Sequence, residues 1–100
     1  MKGIDFEWDP NKDSTNRRKH TIGFAEALTV FGDPLSITIL DPTYSRDEER
    51  LVIIGMSSEQ RLLVVVHTIR EERIRLISAR SATKHERRNY EEGPRETPYQ

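Results

Sequence analysis

Residues 62–80 read LLVVVHTIREERIRLISAR, and their interpretation decides the fold. A run rich in Leu, Val and Ile from Leu62 to Ile69 is followed, after Glu71-Glu72, by the alternating run Arg73 to Ala79. Two β-branched runs separated by so short a polar break predict an antiparallel hairpin. With Glu71-Glu72 as the turn, Arg70 faces Arg73 and His67 faces Leu76. Continued without interruption, that register sets Val65 against Ser78 and Leu63 against Arg80. His67, Ser78 and Arg80 then share one face, and Arg70, Arg73 and Arg75 the other. Along the strands His67 and Arg80 stand about 13 Å apart, too far for one tight site unless long side chains converge or a bulge shifts the register.

Working outward, Leu51 to Met56 and Ser36 to Leu40 also read as strands, the second ended by Asp41-Pro42. Tyr44 to Glu49 reads as a polar loop. On the C-terminal side, Thr83-x-x-Glu86 matches a capping box and opens a helix to about Glu92, which Gly93-Pro94 ends. On the N-terminal side, Ile4 to Trp8 reads as a short strand, and Asp9-Pro10 opens a polar helix ending in Lys19-His20. Gly23 breaks that helix. Phe24, Ala27, Leu28 and Phe31 then give a second, amphipathic one, stopped by Gly32-Asp33-Pro34. The order β-α-α-β-β-β-β-α is an α+β domain with a mostly antiparallel sheet, two N-terminal helices and one C-terminal helix. Residues 1–93 form the expected domain, and 94–100 a loose tail.

The chain has 100 residues, enough for one core, of which 34% are hydrophobic and 33% charged. Such a core is thin, and it leaves surface for a partner to cover. The longest apolar run, Leu62 to Val66, is far short of a membrane span. Met1-Lys2-Gly3-Ile4-Asp5 has an acid where a signal peptide is apolar, so a cytoplasmic domain is expected. The absence of cysteine excludes disulfides, thiolate zinc sites and a cysteine nucleophile. His20, His67 and His85 lie on three different elements without paired spacing, so no metal is expected. No glycine-rich phosphate loop is present, and no cofactor is expected.

A net charge of -1 conceals an asymmetry. Within 61–88, eight basic residues (Arg61, Arg70, Arg73, Arg75, Arg80, Lys84, Arg87, Arg88) meet three acids. Arg17-Arg18-Lys19 is a second basic run. These segments suit a polyanion or an acidic protein partner.

The ordered string Phe6-Glu7-Trp8-Asp9-Pro10-Asn11-Lys12, Lys19-His20, Val64-Val65-Val66-His67-Thr68-x-Arg70 and Ile74-Arg75-Leu76-Ile77-Ser78-Ala79-Arg80-x-Ala82-Thr83-Lys84-x-Glu86-Arg87-x-x-Tyr90 resembles the BrnT family of bacterial toxins. The resemblance runs from about residue 4 to 92. It implies a RelE-like fold, a ribonuclease that arrests growth, and a BrnA-like antitoxin. That antitoxin would carry a ribbon-helix-helix domain, through which a toxin–antitoxin hetero-oligomer would bind its operator DNA. The sequence departs from the family at the Glu71-Glu72 turn, where glycines are usual, and at Thr21-Ile22-Gly23.

Metal-free RNA cleavage needs a group to take the 2′-OH proton, one to neutralise the phosphorane and one to protonate the leaving 5′-oxygen. Arg80 suits the phosphate, as a permanently charged planar fork near the opening of the last helix. His67, Lys84 and Glu86 are the candidate acid and base groups, with competing readings as core histidine, solvated charge and capping-box residue. Lys19, His20, Arg70, Arg75, Arg87 and Arg88 are candidate RNA contacts, against a reading as solvated or edge-strand charges. Two other functions remain open: a non-catalytic interaction protein using the same basic surface, and an RNA-binding module. The second is weakened by a count of only seven aromatic residues.

Overall fold

A computed structural model describes residues 4–41 and 49–93. Strands β1 (Asp5–Glu7), β2 (Ile37–Leu40), β3 (Leu51–Met56), β4 (Leu62–Arg70) and β5 (Arg73–Ser81) form one sheet in the order β1-β5-β4-β3-β2. Helices α1 (Pro10–His20) and α2 (Phe24–Ala27) follow β1, and α3 (Lys84–Glu92) follows β5. All strand pairs are antiparallel except β1 with β5, which makes the sheet mixed. The loop expected over Tyr44 to Glu49 falls largely outside the described residues, as do Pro42 and the tail 94–100.

Local chemistry sets the helix ends. The Asp9 carboxylate accepts the Asn11 N–H at 2.8 Å, and Pro10 follows it in the first turn. Thr21 closes α1 in the left-handed region, φ 60°. Asp13 reaches across that corner to accept the Phe24 N–H at 2.8 Å, capping α2 from outside. The expected second helix tightens after Ala27 into a 3-10 turn, Leu28–Gly32. There β3 runs so close that a Cβ on Gly55 would stand 3.1 Å from the Val30 carbonyl oxygen. The Glu71-Glu72 turn holds both residues at positive φ, 50° and 67°. That conformation favours glycine, and two glutamates adopt it here.

One sheet face packs against α1, α2 and the 3-10 turn. Ile22, Phe24, Ala27 and Val30 are buried there against Ile53, Leu63, Val65, Leu76 and Ala79. On the other face, Ile54, Leu62 and Val64 form a smaller cluster with Ala82 and Tyr90.

The hairpin register holds near its turn and then slips. Arg70 faces Arg73 and His67 faces Leu76, as expected, but Val66 faces Ser78. Ile77 is therefore an extra residue, a β-bulge. Beyond it Val65 faces Ala79 and Val64 faces Arg80. The expected sharing of a face by His67, Ser78 and Arg80 is corrected accordingly. His67 belongs to the helix-covered inner face, and Arg80 joins Arg70, Arg73 and Arg75 on the outer one. Period-two alternation survives on each side of Ile77 but not across it.

Candidate functional site

On the outer face, β5 delivers Arg80 to the start of α3. The Arg80 guanidinium donates two parallel bonds to Glu86, each 2.8 Å, and a third to the Ser81 carbonyl at 3.2 Å. Glu86 also accepts the Thr83 N–H at 2.9 Å, while the Thr83 hydroxyl accepts the Glu86 N–H at 3.2 Å. The capping box is thus complete, and its carboxylate is also the anchor of Arg80. The Arg80 bond, outweighing partial burial, holds the Glu86 carboxyl down at about 2. Glu86 is ionised and Arg80 charged at neutral pH, side by side. Lys84 lies exposed in the first turn of α3.

Tyr90 fixes the far end of α3. Its hydroxyl donates to Asp33 at 2.6 Å, and Asp33 also accepts the Met56 and Leu35 N–H groups at 2.8 and 2.9 Å. Bonded to that carboxylate, the phenol is pushed up to about 12.

Toward the hairpin turn, the outer face carries Arg73 and Arg75, both paired with Glu7 of β1 at 3.6 and 3.3 Å. Arg70 sits exposed beside them. Arg75 and Arg80 pair with Thr68 and Val64, four residues apart on β4, which sets them roughly 13 Å apart. Arg87 approaches Glu91 at 3.9 Å, and Arg88 is exposed on α3.

His67 is not part of this cluster. It is 3% exposed on the inner face, edge-on to the Phe31 ring at a centroid distance of 4.8 Å, with Nδ1 3.3 Å from the Val65 carbonyl oxygen. Burial lowers its pKa, outweighing that carbonyl contact. The geometry makes it a neutral packing histidine, screened by the sheet from Arg80.

Lys19 and His20 lie elsewhere again, in a groove of about 340 Å³ between α1 and β5. Its other lining residues are Asn11, Lys12, Thr15, Asn16, Ile77 and Ser78. The Asn16 amide forms its floor. It donates to the Ala79 and Ile22 carbonyls at 2.8 and 2.9 Å and accepts the Ala79 N–H at 3.1 Å. Asn16 thus bonds the stretch of β5 that β1, ending at Glu7, does not reach.

Residues 8–86 match the family described as the ribonuclease toxin, BrnT, of type II toxin-antitoxin systems. The chain belongs to the BrnT family. The crystal structure of the Brucella abortus ribonuclease toxin BrnT is similar, with 24% identity and a TM-score of 0.60. The match covers 82% of this chain and 100% of that one, and it establishes a shared α+β fold. No curated protein matches. Within the BrnT string, the Arg80, Thr83, Lys84 and Glu86 positions come together, whereas His67 parts from them. Sequence reasoning missed Glu7, the partner of Arg73 and Arg75, because its contact depends on the parallel β1–β5 pairing. It also passed over Lys12, which shares a helical stripe with Asn16 and Lys19.

Proposed function

We propose that the chain is a metal-independent endoribonuclease toxin with a RelE-like fold, arresting growth in the cytoplasm. The observation that carries this reading is the Arg80–Glu86 pair beside Lys84 at the opening of α3. The fork that Arg80 offers Glu86 is also a fork for two phosphate oxygens. A phosphodiester taking that fork would remove the main influence holding Glu86 acidic, and its carboxylate would regain basicity where a 2′-OH arrives. Glu86 then takes the 2′-OH proton, Arg80 neutralises the phosphorane and the Lys84 ammonium protonates the leaving 5′-oxygen. The 2′-oxygen closes on phosphorus as the 5′-oxygen leaves, giving a 2′,3′-cyclic phosphate. Arg70, Arg75, Arg87 and Arg88 flank the site as backbone contacts. His67 has no step, being buried and neutral.

A BrnA-like ribbon-helix-helix antitoxin would neutralise the chain by covering this basic face, and the hetero-oligomer would hold operator DNA through the antitoxin. The decisive experiment is cleavage of end-labelled RNA by the purified chain with EDTA, beside Arg80→Ala prepared identically. Fragments ending in cyclic phosphate from the unsubstituted chain alone are expected. Equal cleavage by both proteins would remove Arg80 from the chemistry. Fragments that vanish with EDTA would overturn metal independence.

A further inference from the structure

The stripe of α1 that faces the sheet edge is made of Lys12, Thr15, Asn16 and Lys19, where a packed helix would normally present apolar side chains. Asn16 has its explanation in Ala79, whose backbone groups it bonds. The lysines have none in the fold: neither forms an ion pair among the described residues, and both are exposed. No acid lines the groove they border, and Ile77 is its one apolar side chain. Both amide hydrogens of Asn16 are already engaged, so it shapes the groove and leaves ligand contact to its neighbours. The available donors are the two ammonium groups, the Asn11 amide, the Thr15 and Ser78 hydroxyls and His20.

From these features we propose that the α1–β5 groove is a second RNA subsite, holding backbone phosphates of the strand bound at Arg80. The inference rests on the nuclease reading for its substrate and extends it to residues outside the cleavage cluster. Lys12 and Lys19 are seven helical residues apart, about 10.5 Å along the axis. Two positive points at that separation suit a chain of phosphates better than one isolated anion. Two exposed lysines with no acid in the lining favour a polyanion as the occupant. The groove lies on the α1 side of β5 and the cleavage cluster on the outer face, joined along the stretch of β5 that β1 does not cover. Ser78 lines the groove, and Arg80 follows two residues along β5, about 7 Å further. The bulged Ile77 itself lines the groove, and the register it sets turns Arg80 to the outer face, so the RNA would pass round β5 between the two sites.

The test uses the full chain and a fluorescein-labelled single-stranded RNA carrying 2′-O-methyl groups, which block attack by the 2′-oxygen and leave the phosphates intact. Fluorescence anisotropy measures affinity across a salt series. The Lys12→Gln/Lys19→Gln double variant is expected to bind on the order of tenfold more weakly at low salt. Its log–log salt slope should be shallower by about 1.4, two phosphate contacts of a single strand. Lys12→Arg/Lys19→Arg should restore both. An unchanged slope and affinity in the Gln variant overturns the subsite, as does failure of the unsubstituted chain to bind the probe. A variant that keeps RNA affinity but loses a protein partner would overturn it in favour of docking. Lysine-dependent binding by a chain that cuts no RNA supports the subsite and refutes the nuclease reading, so the two fail separately.

Discussion

The two faces of the sheet are held by different forces. Against the inner face, Ile22, Phe24, Ala27 and Val30 are wholly buried, and stability there follows apolar area removed from water. Against the outer face, α3 contributes no buried residue. It shelters Ile54, Leu62 and Val64 and is fastened by directional polar bonds, Arg80–Glu86 near its start and Tyr90–Asp33 near its end. A face secured by burial resists any solute that leaves the core intact. A face secured by ion pairs and hydrogen bonds answers to pH, salt and any phosphate that competes for the same donors.

Adjacent residues of β4 provide the most severe test. Leu63 enters the inner core and Leu62 the outer cluster. Leu63→Ala is expected to cost about 4 kcal/mol and Leu62→Ala about 2 kcal/mol, because the loosely covered site can collapse into the space left. Urea unfolding of both variants measures the difference, and equal losses would break the comparison.

Acid titration should separate the faces by pH. Burial depresses the pKa of His67 in the folded chain below its unfolded value of about 6.5, so the unfolded state binds the proton more readily. Its contribution is fully present above that value and is lost as pH falls through the folded pKa. The urea midpoint should decline below pH 6.5 in the unsubstituted chain, and His67→Leu should remove that part of the decline. Glu86 acts in a lower window. Its stabilisation is present above the unfolded value of 4.5 and is lost as pH falls toward about 2. Glu86→Gln should flatten that second phase only. A single phase sensitive to both substitutions would mean the faces open together.

The smallest effect is expected at the far end of α3. Tyr90→Phe removes one hydrogen bond to Asp33 and should lower stability by about 1 kcal/mol. Ultraviolet titration should find one phenol ionising near pH 12, absent from the variant.

The elements were legible where their causes are local. Asp9-Pro10, the Thr83–Glu86 box and the apolar strand runs each carry their signal within a few residues. The proximity of Arg80, Lys84 and Glu86 follows from their closeness in sequence. What escaped reading depends on distant partners. The parallel pairing of three-residue β1, the Asn16 bonds to Ala79 and the Tyr90–Asp33 contact leave no local trace. The bulge is the costliest omission, because nothing in Leu76-Ile77-Ser78 distinguishes it from regular strand. Counting through it in twos carried Arg80 to the face of His67, though about 13 Å from it.

Ile77 can also be regarded as a phase setting. Arg73, Arg75 and Arg80 fall at odd, odd and even positions, so in an unbroken pleat Arg80 would oppose the others and point at the buried core. One supernumerary residue brings all three into step on the solvent side. Charge on this surface is thus governed by residue count as well as by residue type. Deleting Ile77 would make the pleat regular, bring the three arginines to positions of one parity and so keep the basic face without the bulge.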